Sequence, residues 1–467
     1  MSWIVATASV CAAALAGTLV SLPAADARAP QSPGQSAGQS ARAQGPVKTD
    51  VGYKAQVMAT KLLVDGVEVR SAKTAFAQQR CTRYAGREIV RGTELSSLGI
   101  PLVAGGLTTS RSVTYEKDGV HGVRGTSTIA ELELGGVFQG QQTPTLVLRG
   151  LTSVADAFRR ADGTFGHRET FTFDGLRIGN LPAQVPAPLQ ELLDLIADGS
   201  AQLVNQVIEL LTSITGNTIE IPGLGSIGLA GVKSGRANDN AAWSQTAALK
   251  LTITATGQPT ELTLGRARTA VMAPVPGGVF RSSARGLDLL GDNDLLHLGG
   301  LGEQSIPCHG TFGKVREHTL GAVRILGGLV NMTGVRYRLM GEQHDNGRAN
   351  GFVATEVGSL QVPSIGLVID GISSQVIARK PAGTATVKRK VLTGIARITL
   401  NGQELELPTF AGQKIDLGDS GFLEYRVLGR NDRRGVEARA LKLTLPDLIP
   451  GGTILDVGWA GLHIRPN

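Results

Sequence analysis

The string Gly418-Asp419-Ser420-Gly421 is the sharpest catalytic-looking feature of this sequence. It matches four residues of the GDSGGP loop that presents a nucleophilic serine. Such a serine needs a base within hydrogen-bond reach and a carboxylate that orients the base. Phe422 stands where that loop has a glycine, and no TAAHC-like histidine segment lies upstream. His309, His318 and His344 are bases only by presence. The string therefore reads as a β-turn, with a hydrolase centred on Ser420 as an alternative. Gly223-Leu224-Gly225-Ser226-Ile227-Gly228 spells GxGxxG. A dinucleotide site needs a strand before it, a helix after it and an acid about 20 residues on. More glycine-rich chain follows instead. Asp288, Asp292 and Asp294 cluster, but calcium needs several converging oxygens at about 2.3–2.6 Å, and the spacing fits no EF-hand. Asp292-Asn293 reads as a turn, and so does Asp239 between Asn238 and Asn240. The seven histidines contain no HExxH and no paired metal spacing. No catalytic residue, metal or cofactor is assigned, and the ligand-binding residues stay open.

The bulk numbers narrow the class. The chain has 467 residues, 62 of them glycine, with 4% aromatics and a formal net charge of +7. Many short strands joined by tight turns suit that composition better than helical bundles. The basic residues are scattered, and Lys388-Arg389-Lys390 is their densest run. That is a solvated face rather than a nucleic-acid arm, with some attraction for an acidic surface such as an anionic wall polymer. Residues 1–27 read as a secretory signal: an apolar run from Trp3 to Leu22, then Ala25-Asp26-Ala27. No Lys or Arg precedes the run, so an uncleaved N-terminal anchor is the other reading. No membrane span is expected once the signal is removed. Residues 28–46 form a low-complexity linker without a large apolar residue.

With the signal gone, Cys81 and Cys308 remain. They either form one bridge between two domains or are each a small buried residue. A bridge closing so long a loop adds about 4–5 kcal/mol in the chain-entropy account.

The elements that position these residues look duplicated. Alternation marks strands around a hairpin at 53–76, with Asp65-Gly66 as its turn, and in Ser127–Leu134, where Ile129, Leu132 and Leu134 face inward. Leu98, Gly105, Gly106, Leu107 and Tyr115 recur 222 positions on, as Leu320, Gly327, Gly328, Leu329 and Tyr337. Leu62-Leu63 and Cys81 recur 227 on, and Ala248–Thr252 recurs 192 on as Ala440–Thr444. The falling offset leaves the second copy shorter by about 30 residues, which is the size of a helical stretch at 186–213. There Leu189, Leu192, Leu193 and Ile196, then Leu203, Val207, Leu210 and Leu211, repeat at three and four. The expected fold is mainly β: two related antiparallel β-sandwich-like domains in tandem, at 47–276 and 277–467, with the helical insertion in the first.

Gly52-Tyr53, the hairpin, Cys81-Thr82, Gly86 and the closing ALKLTI and ELTLG strands resemble the choice-of-anchor P proteins of Gram-positive actinobacteria. The resemblance covers most of residues 51–467. It implies an exported, β-rich surface protein with no established activity and no catalytic residues to carry over. Members are tethered by sortase signals or transmembrane tails. This sequence ends without either, and Leu407-Pro408-Thr409-Phe410-Ala411-Gly412 resembles LPxTG only superficially. The expectation is a secreted or cell-surface structural or adhesive protein, not an enzyme and retained noncovalently if at all. Its partners would be cell-wall polymers or other surface proteins, not nucleic acid. The alternative is a module that binds wall polymer or carbohydrate, for which Trp243, Tyr337, Tyr425 and Trp459 are too sparse to argue.

Overall fold

The computed structural model describes residues 45–465, save 65–66, 70–72, 96–101, 139, 199–202, 215–216, 231–233, 248, 256–259, 292–296, 300–301 and 449–451. The expected signal, nearly all of the linker, the Asp65-Gly66 turn, Asp292 and Asp294 fall outside the described residues.

The architecture is mainly β, with antiparallel sheets throughout. Long strands form because apolar and polar residues alternate along them, so one face of each buries its side chains. Val47–Val64 pairs with Thr260–Met272, which pairs in turn with Leu249–Ile253 and Ala241–Thr246. The later half repeats this: Val279–Gly291 pairs with Thr453–Arg465, which pairs with Gly435–Leu445. The two sets join edge to edge into one 15-stranded sheet through a single pair, Val69 with Leu298. A seven-stranded sheet belongs to the first half and a nine-stranded sheet to the second. Ile129, Leu151, Leu264, Val353, Leu360, Leu443 and Leu462 are all essentially inaccessible in a shared apolar core. Each contributes roughly 1.5–3 kcal/mol on burial.

The repeat is carried by backbone irregularities as well as strand order. In the first half the ladder skips Ala59 and Gly265, and in the second it skips Gly286 and Gly458. Gly265 and Gly458 lie in left-handed conformation at φ 60° and 63°. The neighbouring sheets show the same skip at Ala130 and Gly150, and at Gly358 and Gly371. The first of these explains why Ile129 and Leu132, three apart, both face inward. At each site one residue of each strand is left unpaired and the register on either side is unchanged, so the residues beyond turn to the opposite face of the sheet.

One sequence correspondence shifts. Val103–Gly105 and Leu107–Lys117 share the partner Val120–Phe138, just as Val330–Thr333 and Val335–Gln343 share Ala349–Val362. The breaks fall at Gly106 and Gly334, and the hairpin-tip glycines are Gly119 and Gly347, 228 positions apart in both cases. Gly327 and Gly328 instead shape the turn before Val330. Tyr337 is therefore not the counterpart of Tyr115. It is inaccessible, and its hydroxyl accepts the Gly286 N–H at 3.0 Å. Tyr115 donates to Asp156 Oδ1 at 3.0 Å. A matching Gly-Gly-Leu string outweighed register because short glycine strings recur by turn chemistry alone.

The helical stretch forms two helices, α1 (Ala187–Asp198) and α2 (Leu203–Ser213). Leu189, Leu192, Val207, Leu210 and Leu211 enter the core beside Ile219, Ile221 and Ile227 of the edge hairpin. Among the described residues no helix is long and apolar enough to cross a membrane.

The left-handed glycines at the skipped positions set a stability test. A Cβ on Gly265 would lie 2.5 Å from Leu151 Cδ2, and one on Gly458 would lie 3.0 Å from Ala440 Cβ. Gly265→Ala should cost about 2 kcal/mol or more and Gly458→Ala about 1–2 kcal/mol, since a left-handed alanine alone costs that much. Urea titration checks both, and unchanged midpoints would show that these positions are not constrained to glycine.

Candidate functional site

Cys81 and Cys308 form a disulfide across 227 positions of sequence, with their Cα atoms 5.5 Å apart. Both are buried, in a small cluster with Met272, Val275 and Val279. The contacts around them are specific. The Cys308 N–H donates to Met272 Sδ at 3.2 Å, and Arg281 Nε donates to the Cys81 carbonyl at 2.7 Å. Gly52 has to be glycine here, because a Cβ would stand 2.7 Å from Cys308 Cβ. The bridge thereby pins the 302–314 loop of the second half against the outer face of strands from the first.

That loop and those strands enclose a groove of about 540 Å³. Alternation along Val47–Val64 puts Lys54 and Gln56 on this outer face, and alternation along Thr260–Met272 adds Arg268, Ala270 and Met272. Trp243 and Gln245 come from Ala241–Thr246, Arg236 from Ser234–Asn238, and Ser305, Pro307 and Arg316 from the second half. The cations are held in place. Lys54 Nζ donates to Ser305 Oγ at 3.0 Å, and the Arg236 guanidinium lies 4.6 Å from the Trp243 ring centre. Arg268 Nε donates to Gln245 Oε1. Burial pushes the Lys54 ammonium below its usual pKa; Glu303 counters the shift and Arg268 adds to it. The lining holds Lys54, Arg236, Arg268 and Arg316 and not one carboxylate. Outside it, Glu169 stands behind Gly235, where it bonds His167 at 3.0 Å.

The chemistry-bearing strings of the sequence do not meet here. Ser420 closes a short 3-10 turn, Gly418–Ser420, between two paired strands, and no histidine bonds its hydroxyl among the described residues. His318 lies against the Tyr337 ring, and His344 contacts Arg348 at 3.0 Å and Glu342 at 3.4 Å. His309 is buried edge-on to Phe312. The GxGxxG glycines occupy a turn and the strand Gly225–Leu229 of a hairpin, without a helix after them. Asp288 pairs with Arg285 at 2.6 Å, opposite Asp456, which pairs with Arg439 at 2.8 Å. Trp459 lies between those two guanidinium groups, 5.1 and 4.5 Å from its ring centre. Asp239 sits in a hairpin turn with Asn240. Of Trp243, Tyr337, Tyr425 and Trp459 only Trp243 lines the groove, so these four do not form a row there.

No family model matches the chain, and no curated protein matches it. A solved structure of a lipopolysaccharide binding protein aligns over 79% of this chain and 91% of its own, at 10% identity and a TM-score of 0.09. A likeness at that level carries no argument about fold or function.

The residues the sequence did not reveal are Lys54, Arg236, Arg268 and Arg316. They are scattered along the chain and meet only through strand pairing and the bridge. The one local signal is alternation, which marks Lys54 and Arg268 as outward-facing.

His309 offers a check on the pinned loop. It is 4% exposed, and burial, with Arg316 nearby, pushes its pKa from 6.5 down to about 4. The unfolded chain takes up this proton below pH 6.5, while the folded chain resists to about pH 4. The contribution to stability is thus complete above 6.5 and is lost as pH falls towards 4, by roughly 3 kcal/mol. Urea titrations from pH 7 to 4 should show this loss, and His309→Gln should flatten it. An equally steep loss in the variant would assign it to other groups.

Proposed function

We propose that this chain is an exported surface protein without catalytic activity, retained at the cell envelope by holding anionic wall polymer noncovalently in the seam groove. The observation that carries the reading is the lining of four cations without a carboxylate. Cations gathered in one groove repel one another, as Arg268 does Lys54, and an anion that joins them relieves that repulsion. A polymer of uronic acids or phosphodiesters supplies one negative charge per repeat, and its hydroxyls and oxygens suit Ser234, Ser305 and Gln245. Aromatic platforms would suit a neutral glycan, and the groove has a single tryptophan, already engaged by Arg236. The signal-like residues 1–27, the disulfide and the resemblance to the choice-of-anchor P proteins support an extracellular setting.

Isothermal titration of the protein with oligoglucuronate, against neutral dextran oligomers, tests the reading. Oligoglucuronate should bind with an affinity that falls as salt rises. Arg236→Gln and Arg268→Gln should each weaken it by about tenfold, or about 1.4 kcal/mol. Dextran binding of equal strength, or both variants binding like the parent, would sink the proposal.

A further inference from the structure

The second half carries another cationic recess, of about 430 Å³, at the ends of three adjacent strands. Arg348 precedes Ala349–Val362, Arg379 and Lys380 end Leu367–Lys380, and Lys388 begins Lys388–Gly394. Arg379 and Lys388 are direct cross-strand partners, an arrangement of like charges that destabilises a ladder. Lys380 is only 5% exposed, and its ammonium donates to the Gly347 carbonyl at 2.6 Å. No described carboxylate forms an ion pair with any of the four. Glu342, beside them, is bonded by Asn350 Nδ2 at 3.0 Å.

The repeat shows that this lack of compensation is particular to the second half. Register places Lys380 opposite Ala349, as it places Arg159 opposite His121 in the first half. Arg159 pairs there with Asp50 at 2.9 Å. The position equivalent to Asp50 is Gly277, since Gly52 and Val279 hold matching places against Met272 and Arg465. The acid is replaced by a glycine packed behind Ala349 of the lining, where a Cβ would lie 2.9 Å from Ala349 Cβ. Burial pushes the Lys380 ammonium below its usual pKa.

The recess and the seam groove are neighbours. Gln343 separates them: its Nε2 donates to the Cys308 carbonyl at 3.3 Å, and its Oε1 accepts the Gly277 N–H at 2.9 Å. Met272, in the groove, is five residues from Gly277, a span of at most about 18 Å.

We propose that the recess of Arg348, Arg379, Lys380 and Lys388 is a second anion subsite, and that one acidic polymer chain occupies it together with the seam groove. This rests on the reading of the groove given above and names its ligand more closely, as a polyanion long enough to reach both places at once. Two linked subsites convert the second contact into an intramolecular one, which raises affinity by about 10²-fold or more without any new contact.

The test titrates the protein and two double variants, R379Q/K388Q and R236Q/R268Q, with tetraglucuronate and with long polyglucuronate. Arg379 and Lys388 are exposed, so their replacement spares the core. The parent should bind two tetramers but one long chain, the latter about 10²-fold more tightly. Each double variant should lose one tetramer site and bring the long chain down to tetramer-like affinity. If R379Q/K388Q keeps two tetramer sites and full long-chain affinity while R236Q/R268Q loses both, the second subsite is wrong and the groove reading survives. If only R379Q/K388Q matters, the groove reading fails together with the shared chain. If neither pair changes anything, both fall.

Discussion

A single covalent tie, Cys81 to Cys308, holds the 302–314 loop of one half of the chain on the sheet of the other. The two halves also share one strand-edge pair, a continuous apolar core and the side-chain contacts of the seam. Closing a loop of 227 residues removes conformational freedom from the unfolded chain worth about 5 kcal/mol. Its local effect is more specific. Ser305 and Pro307 are brought over Lys54 and Arg268, and strands that would otherwise present an open basic face become the wall of a groove.

Charge pairing sets two places of the molecule apart from the rest. In the first half Arg159 has Asp50, and Arg124 has the buried Asp156 at 2.7 Å. In the second, Arg285 and Arg439 have Asp288 and Asp456. Against that background of paired ions, two places gather cations without lining acids, and both flank the seam. Like charges held this close repel one another. The proposed ligand is an anion that relieves the repulsion, and its chemistry follows from the sign of the charge.

The strand series, the helical insertion and the order of repeated landmarks could be read from the sequence because each leaves a local period: two for strands such as Ser127–Leu134, three and four for Leu189–Leu211. The skipped pairs could not, since Gly265 and Gly458 look like any other glycine until the ladder is seen to pass over them. Register was misread at Gly105-Gly106-Leu107 for the same reason. The candidate site was the least legible. Lys54, Arg236, Arg268 and Arg316 lie on four different strands, and no window of sequence holds more than one of them. The cluster that was visible, Lys388-Arg389-Lys390, read as a solvated face. Only cross-strand pairing with Arg379, and the glycine at 277 where the first half has an acid, give Lys388 a different meaning. Ser420 and the GxGxxG string were legible but misleading, because turn glycines imitate catalytic loops.

The most direct measurement of this account is the affinity of the protein for polyglucuronate before and after the bridge is removed, with circular dichroism recorded on the same samples. Cys81→Ser/Cys308→Ser, kept at a temperature where its β-sheet spectrum matches the parent, should bind at least tenfold more weakly, because the Ser305–Pro307 wall is no longer fixed over Lys54. Parent-like affinity in a folded, bridge-free protein would contradict the claim that the tie between the halves makes the site.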